Sequence, residues 1–390
     1  MIVLALNAGS SSVKFALFDV GEGAELELAR GAIEDIGQAN ARFAITRGGR
    51  PKSVASRVTC KDVREAAPII FSALEDAPLP HPQAIGHRLV HGGPRYDVPH
   101  LIDADLRREL ESVARFSPLH LPRSLALIDA ASTRYGDVPQ VACFDTTFHR
   151  TLPEVARRFP LPLEIHEAGI HRYGFHGLSY GYIVQTIGAK RLGRAVLAHL
   201  GSGSSLVAVR HGKSIDTTMG LTPSGGMMMG TRCGDLDPGV LVHLIEHFGY
   251  DARKIDELVN TRSGLLGVSG TTSDMRALLD ASERDPRAQL AVDMFCYSAR
   301  KFIGAYAAAL GGIDTLVFTG GIGAHAAEVR TRICSGLEHL GIRLDEVLNG
   351  RHCESIGGRD TRCQVLVVRT DEERMILRHT VRAARSAHPA

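Results

Sequence analysis

Paired cysteines, net charge and long apolar runs are all scarce in this chain. Its seven cysteines (Cys60, Cys143, Cys233, Cys296, Cys334, Cys353 and Cys363) are odd in number, widely spaced and form no CxxC pair. That pattern excludes a disulfide framework and a zinc site of the usual spacing. A reducing compartment, the cytoplasm, is expected. The formal net charge is only +2, too little for bulk electrostatics to hold nucleic acid or a membrane surface. No uncharged apolar run reaches the ~20 residues that span a bilayer. The first residues lack the basic region and cleavage site of a secretory leader. A GxxxxGK[ST] phosphate loop is absent as well. What remains is 390 residues, 44% hydrophobic and 23% charged, an ordinary globular composition. The length is too great for one comfortable core and suggests two domains. Glycine, at 41 residues, suits tight turns and backbone-lined loops.

Short apolar runs at 2–6, 13–18, 43–46, 84–90 and 138–144 read as strands. Asp103 can cap a helix whose apolar face is Leu106, Leu110, Val113 and Ala114. Asp237 followed by Pro238 marks another start, and Gly249 its stop. There the pattern predicts a buried stripe of Val240, Leu241, Leu244, Ile245 and Phe248. Residues 288–310 read as a long, mostly buried helix. Strands and helices alternate, so the fold class is α/β.

The opening segment "IVLALNAGSSSVKF" (2–15) recurs as "VLAHLGSGSSLVAV" (196–209), without gaps when Gly203 is set on Gly9. A third variant, "TLVFTGGIGAH" (315–325), is a strand entering a Gly-rich turn. Any one of these is most simply a hairpin. Two alignable copies suggest two related domains facing each other across a cleft. Small loops of this type expose backbone N–H groups and hydroxyls to a phosphate.

Between the loops lie "GHRLVHGG" with Arg88, "SPLHLP" with His120, "ACFDTTFH" with Asp145 and "RYGFHGLS" with His176. "TTMGLTPSGGMMMGTRCGDLDPG" follows with Arg232, and "RTDEER" with Asp371, Glu372 and Glu373. Each has a structural explanation when taken singly: a surface pair, a buried histidine, a cap, a favoured acid at a helix start. Their shared position at strand ends and Gly-rich turns, where α/β folds bind ligands, changes that balance. In order and number these stretches resemble the acetate kinase (acetokinase) family over essentially the whole chain. The resemblance implies two ribonuclease-H-like βββαβαβα domains, the duplication of actin-like ATPases and sugar kinases, with an interdomain active-site cleft. Implied boundaries are 1–149 plus a returning helix 372–390, and 150–371 for the nucleotide-binding domain.

The implied reaction is reversible phosphoryl transfer between ATP and acetate, giving acetyl phosphate and ADP, with Mg²⁺ or Mn²⁺. A carboxylic acid with a pKa of ~4 is already an anion at neutral pH. No strong base is needed; the task is to hold two anions in line and neutralise the transferring group. By resemblance, Arg88 and Arg232 are the substrate and phosphoryl clamps. His176 stabilises the transition state. Asp145 is the residue given as catalytic, and orienting Arg88 or a metal-bound water suits it better than removing a proton. Asn7 and Glu372 form the metal shell. Ser10, Ser12 and Lys14 approach the phosphates. His199, Leu200, Gly201, Ser202 and Gly203 line the phosphate channel. Asp274, Met275 and Arg276 meet the adenosine, as do Gly321, Ile322, Gly323, Ala324 and His325. Val90, Leu119, Phe175 and Pro223 line the acyl pocket, with His120 beside the reacting centre.

Four positions, in three stretches, depart from the family pattern. Ser202 replaces an Asn, Ala324–His325 replaces Glu-Asn, and Asp371 replaces an Asn and adds negative charge near the metal. The first two place nucleotide contacts in question. A propionate kinase of the same family is the alternative, because one methylene in an apolar pocket is worth only ~1–3 kcal/mol. A sugar or glycerol kinase would want an Asp base in a polar pocket, which Arg88 with Val90 and Phe175 fits poorly. An ATP-gated module of the heat-shock or actin sort would need a further region, and the two domains consume the chain. The resemblance also implies a homodimer, for which the helix near 288–310 is a candidate surface.

Overall fold

The computed structural model describes residues 1–9, 11–21, 23–48, 54–76, 79–114 and 120–387. Ser10 and Leu119, both expected in the site, lie outside them. The chain divides into two compact units. The first comprises Met1–Thr147, Gly177–Tyr182 and Asp371–Ala390; the second comprises Phe148–His176 and Ile183–Thr370.

The first unit is built on an eight-stranded sheet. Its strands are β1 (Ile2–Ala8), β2 (Val13–Val20), β3 (Glu25–Glu34), β4 (Ala41–Arg47), β5 (Val54–Val58), β6 (Ala84–Leu89), β7 (His100–Leu101) and β8 (Gln140–Phe144). Their order is β5-β4-β3-β2-β1-β6-β8-β7. Strands β1 to β5 form an antiparallel meander, while β1, β6 and β8 run parallel. The near-continuous apolar run of β1 follows from burial on both faces. Leu4 and Leu6 pack with Val63, Ile70 and Leu127 from helices Val63–Glu75 and Leu121–Tyr135. Val3 and Ala5 pack with Ile376 and Leu377 of the terminal helix Glu372–Ala387.

The second unit repeats the plan. Strands β9 (Arg194–Leu200), β10 (Ser204–Arg210), β11 (Lys213–Thr217), β12 (Thr315–Thr319) and β13 (Gln364–Val367) lie in the order β11-β10-β9-β12-β13. The first three are antiparallel, and β9, β12 and β13 are parallel. This matches β3-β2-β1-β6-β8 strand for strand and sense for sense. The repeat read in the sequence is therefore a structural one, with its register moved. Strand β1 ends at Ala8 and β9 at Leu200, so Gly9 corresponds to Gly201, two positions from the ungapped alignment on Gly203. A slip of two preserves the alternation of a strand, which is why apolar pattern alone did not detect it.

The long helix is Pro286–Leu310, capped by Asp285, and buries Val292, Phe295, Ala299, Ile303 and Leu310 in the core of this unit. The helix Pro238–Phe248 forms as expected, with Asp237 accepting from the Gly239 N–H and Gly249 in the left-handed region. Its expected buried stripe is not buried. Val240 is 43%, Ile245 51% and Phe248 64% exposed, and Leu241 and Leu244 are only half-buried. Apolar periodicity reports which face is greasy; it does not say that the same chain covers it.

Candidate active site

In the first unit the polar residues sit where parallel strands end. Asn7 is near the end of β1, Arg88 near the end of β6, and Asp145 directly follows β8. The Arg88 guanidinium forks onto Asp145: Nε lies 3.1 Å from both carboxylate oxygens and Nη2 donates to Oδ2 at 2.7 Å. Its Nη1 donates to Asn7 Oδ1 at 3.1 Å. Asn7 Nδ2 in turn donates to Glu372 Oε2 and Glu373 Oε1, each at 2.9 Å. Asp145 is 1% exposed. Burial pushes its carboxyl above the usual range, and Arg88 pulls the other way. For Arg88 burial opposes the charge, but Asp145, Glu372 and Glu373 outweigh it and hold the guanidinium firmly protonated. With both Asp145 oxygens engaged by a permanent cation, the pair is an anchored guanidinium, poorly suited to accept a proton from substrate.

Three consecutive acids, Asp371 to Glu373, open the terminal helix, a placement that its dipole favours. Two of them are held by one cation: Arg30 donates to Asp371 and to Glu373 Oε2. Arg374 also reaches Asp371. The negative charge expected from Asp371 is thus met within the protein. Glu372 Oε2 accepts from the Asn7 amide. A carboxylate here suits a hard cation that takes few protein oxygens and keeps its waters, while the Asn7 oxygen faces Arg88 and its N–H₂ faces Glu372.

Elsewhere in this unit, Val90 and His120 are buried, His120 directly before helix Leu121–Tyr135. The turn joining β1 to β2 is closed by Gly9 N–H donating to the Ser12 carbonyl at 2.7 Å. Ser12 is half-buried and Lys14 exposed on β2.

In the second unit the centre is the hairpin loop between β9 and β10. His176 holds a left-handed backbone (φ 59°) just before helix Gly177–Ile187, an uncommon conformation for a residue with a side chain. Its Nδ1 shares a hydrogen bond of 2.8 Å with Ser205 Oγ, and its ring stacks on His199 at 4.2 Å. A methyl group placed on Gly203 would lie 3.4 Å from Arg232 Nη1 and 3.5 Å from His176 Nε2. Two cationic or polar tips therefore meet at one glycine backbone. Arg232 is aimed there by its own loop, where Nη1 donates to the Pro223 carbonyl at 3.0 Å. That Gly- and Met-rich loop is not loose: Met227, Met228 and Met229 are buried. The Gly230 N–H donates to the Ser202 carbonyl at 3.1 Å, tying it to the hairpin.

The third Gly-rich segment is a short helix, Gly320–His325, in place of the expected turn. Gly320 (φ 77°) begins it, and a side chain there would lie 2.5 Å from the Leu200 carbonyl. Only glycine lets this helix start so near the first loop. Ala324 is buried in the core and His325 exposed. Asp274 caps helix Met275–Ala281, accepting from the Ala277 N–H. Met275 is buried in the core and Arg276 is exposed.

Sequence reasoning did not single out three supporting residues. Ser205 orients His176. Arg30 holds the acidic run. His149, buried, shares one ring nitrogen with Ser214 Oγ and donates from the other to the Phe175 carbonyl, each at 2.9 Å. Burial lowers its pKa to about 4, so the ring is neutral and fixes the backbone beside His176. His149 was visible in the "FDTTFH" stretch; its pairing with the Phe175 carbonyl was not.

Comparison with known proteins identifies the family. Residues 2–378 match the model of the Acetokinase family. The acetate kinase of Dictyoglomus turgidum is 43% identical, over 98% of this chain and 97% of its own. The crystal structure of a propionate kinase from Francisella tularensis superposes with a TM-score of 0.89 at 35% identity, over 98% of this chain and 99% of its own. That of Porphyromonas gingivalis acetate kinase gives 0.84 at 38%, with the same coverage.

Proposed function

The chain belongs to the acetokinase family and is a phosphotransferase with a carboxylate acceptor; we propose that it transfers the terminal phosphoryl group of ATP to acetate, reversibly and directly in line. The observation that carries this reading is the meeting of Arg232 and His176 over Gly203, on a hairpin loop of the kind that cradles phosphate. Arg232 neutralises charge on the transferring group, and His176 donates to one of its equatorial oxygens, held in place by Ser205. Arg88, anchored by Asp145 and Asn7, takes the acceptor carboxylate. Val90, Phe175 and Pro223 are assigned to the acyl group, and His120 to the neighbourhood of the reacting centre. Asp145 is a positioning residue for Arg88.

Glu372, with Asn7 beside it, would hold Mg²⁺, which when bound would screen the nucleotide phosphates. Ser12 and Lys14 serve the phosphates from the first hairpin, and His199 to Gly203 from the second. Asp274 to Arg276 and Gly321 to His325 meet the nucleoside.

A specific observation supports propionate as a second substrate: the structural likeness to a propionate kinase. The protein should therefore be assayed with Mg²⁺-ATP against acetate, propionate and glycerol side by side, with acyl phosphate trapped by hydroxylamine. Acetyl phosphate formation with the highest kcat/KM for acetate supports the reading. ADP release with glycerol and no trapped acyl group would overturn it.

The protein is also proposed to be a cytoplasmic homodimer. All seven cysteines are free thiols, which suits a reducing compartment. The second unit presents Val240, Ile245 and Phe248 on one helix, and Leu290, Met294 and Tyr297 on the outer side of Pro286–Leu310. Apolar side chains exposed in such numbers are typical of a subunit interface. Phe248→Asp is expected to shift the sedimentation coefficient toward that of a monomer; an unchanged value would remove that helix from the interface.

A further inference from the structure

Arg30, on β3, is remote in sequence from every residue assigned a role above, yet it is wired to them. Its Nε donates to Glu27 Oε2 at 2.9 Å, its Nη1 to Glu373 Oε2 at 2.8 Å, and its Nη2 to both oxygens of Asp371 at 2.8 and 2.9 Å. Glu373, 6% exposed, spends its other oxygen on the Asn7 amide, and Asn7 presents its carbonyl to Arg88. The result is one unbroken chain: Arg30, Glu373, Asn7, Arg88, Asp145. An Asn side chain can flip, exchanging donor for acceptor. Here Glu373, together with Glu372, takes the N–H₂ end, so the carbonyl faces Arg88. Glu373 can take it because Arg30 fixes its rotamer and compensates its charge.

Charge accounting points the same way. Asp371, Glu372 and Glu373 would together carry three negative charges within one helical turn. Arg30 spans two of them, and Arg374, which also pairs with Glu25, shares Asp371. Glu372, the third, accepts from the Asn7 amide.

We propose that Arg30 is a positioning residue for phosphoryl transfer: through Glu373 it helps fix the Asn7 amide and hence Arg88, and its charge offsets that of Asp371 and Glu373. A mere strap between β3 and the terminal helix would do neither. The inference rests on the roles given above to Arg88 and Glu372. The test therefore includes a readout that does not require the enzyme to turn over.

Four proteins are needed: the wild type, Arg30→Met, Arg30→Lys, and Arg30→Met combined with Asp371→Asn. Mn²⁺ binding in the presence of ADP is followed by electron paramagnetic resonance, acetate KM and kcat by the hydroxamate assay, and stability by urea unfolding. Removing one positive charge near a cation site tightens Mn²⁺ and weakens anions, each by about tenfold for charges several ångströms apart in a polar setting. Arg30→Met should thus bind Mn²⁺ several-fold tighter and raise acetate KM by about tenfold. The double variant, with charge restored, should return Mn²⁺ affinity to within about twofold of wild type. Arg30→Lys, with charge but no fork, should keep Mn²⁺ affinity and still raise acetate KM. If Arg30→Met does not fold, Arg30→Lys and the double variant carry the test. Unchanged Mn²⁺ affinity and acetate KM in the folded variants would reduce Arg30 to a strap. A Mn²⁺ shift in a protein that forms no acetyl phosphate would uphold the charge effect and sink the acetate reading.

Discussion

At the residue scale, the division between grip and chemistry can be tested at two positions. Arg232 is aimed by a backbone carbonyl at the same point as His176, so its work falls on the transferring group. Arg232→Ala should lower kcat by a factor of ~10²–10³, the usual effect of losing one electrostatic donor, with a modest change in acetate KM. Steady-state kinetics over acetate concentration decides it; a near-normal kcat would remove the role. Asp145 has the opposite signature. It is buried and engaged on both oxygens by Arg88, so Asp145→Asn leaves a buried cation without its counter-charge, a change that costs ~3–5 kcal/mol when a partner is lost outright. The urea midpoint should fall and acetate KM should rise. A large kcat loss with KM and stability unchanged would point to proton transfer instead.

At the element scale, the functional loops are shaped by backbone more than by side chains. Gly320 and Gly203 illustrate two different needs for glycine. Gly320 has a positive φ, and a side chain there would meet the Leu200 carbonyl at 2.5 Å. Gly320→Ala should destabilise the second unit by more than the ~1–3 kcal/mol typical of left-handed strain. Gly203 is bounded only by side-chain tips at 3.4 and 3.5 Å. Gly203→Ala should therefore fold with an unaltered melting temperature while its methyl occupies the space between Arg232 and His176 where the transferring group is proposed to lie. A misplacement of that group approaching 1 Å is enough to cost up to ~10²-fold in rate. Calorimetry and kcat on the two variants separate the cases: loss of fold in the first, loss of rate in the second. The helix Pro238–Phe248 adds a related lesson. Its cap, proline and stop signal came through as expected, but its greasy stripe faces outward.

At the scale of the whole molecule, stability should depend on pH through buried neutral histidines. His87, His149 and His379 are each lowered to about 4 by burial. In the unfolded chain each would titrate near 6.5. As pH falls below ~6.5 the unfolded state takes up protons that the folded state refuses, so stability is full above that value and declines toward pH ~4. Each histidine contributes up to ~3 kcal/mol to that decline. Urea unfolding at pH 7.5 and pH 5 should show a clear loss at the lower value, and His87→Gln should reduce the difference. An equal midpoint at both values would mean that these rings open to solvent before they titrate.

Much of this protein was settled by local sequence. Strand–turn–strand patterns, caps and Gly-rich stretches are decided by neighbours in the chain, so the α/β class and the duplicated hairpins could be read directly. Arg88, Asp145, His176 and Arg232 could be nominated because each stands beside a strand end or glycine turn. Tertiary structure decided the rest, because it concerns partners far apart in sequence. The hairpin register was ambiguous by two residues, since a strand repeats every second position. Asp371 looked like surplus charge until Arg30, 341 residues away, proved to be its partner. His149 and Ser205 gained meaning only beside Phe175 and His176. Periodicity tells a chain which side of a helix avoids water; packing alone determines what that side meets, and which of two equivalent amide orientations Asn7 must take.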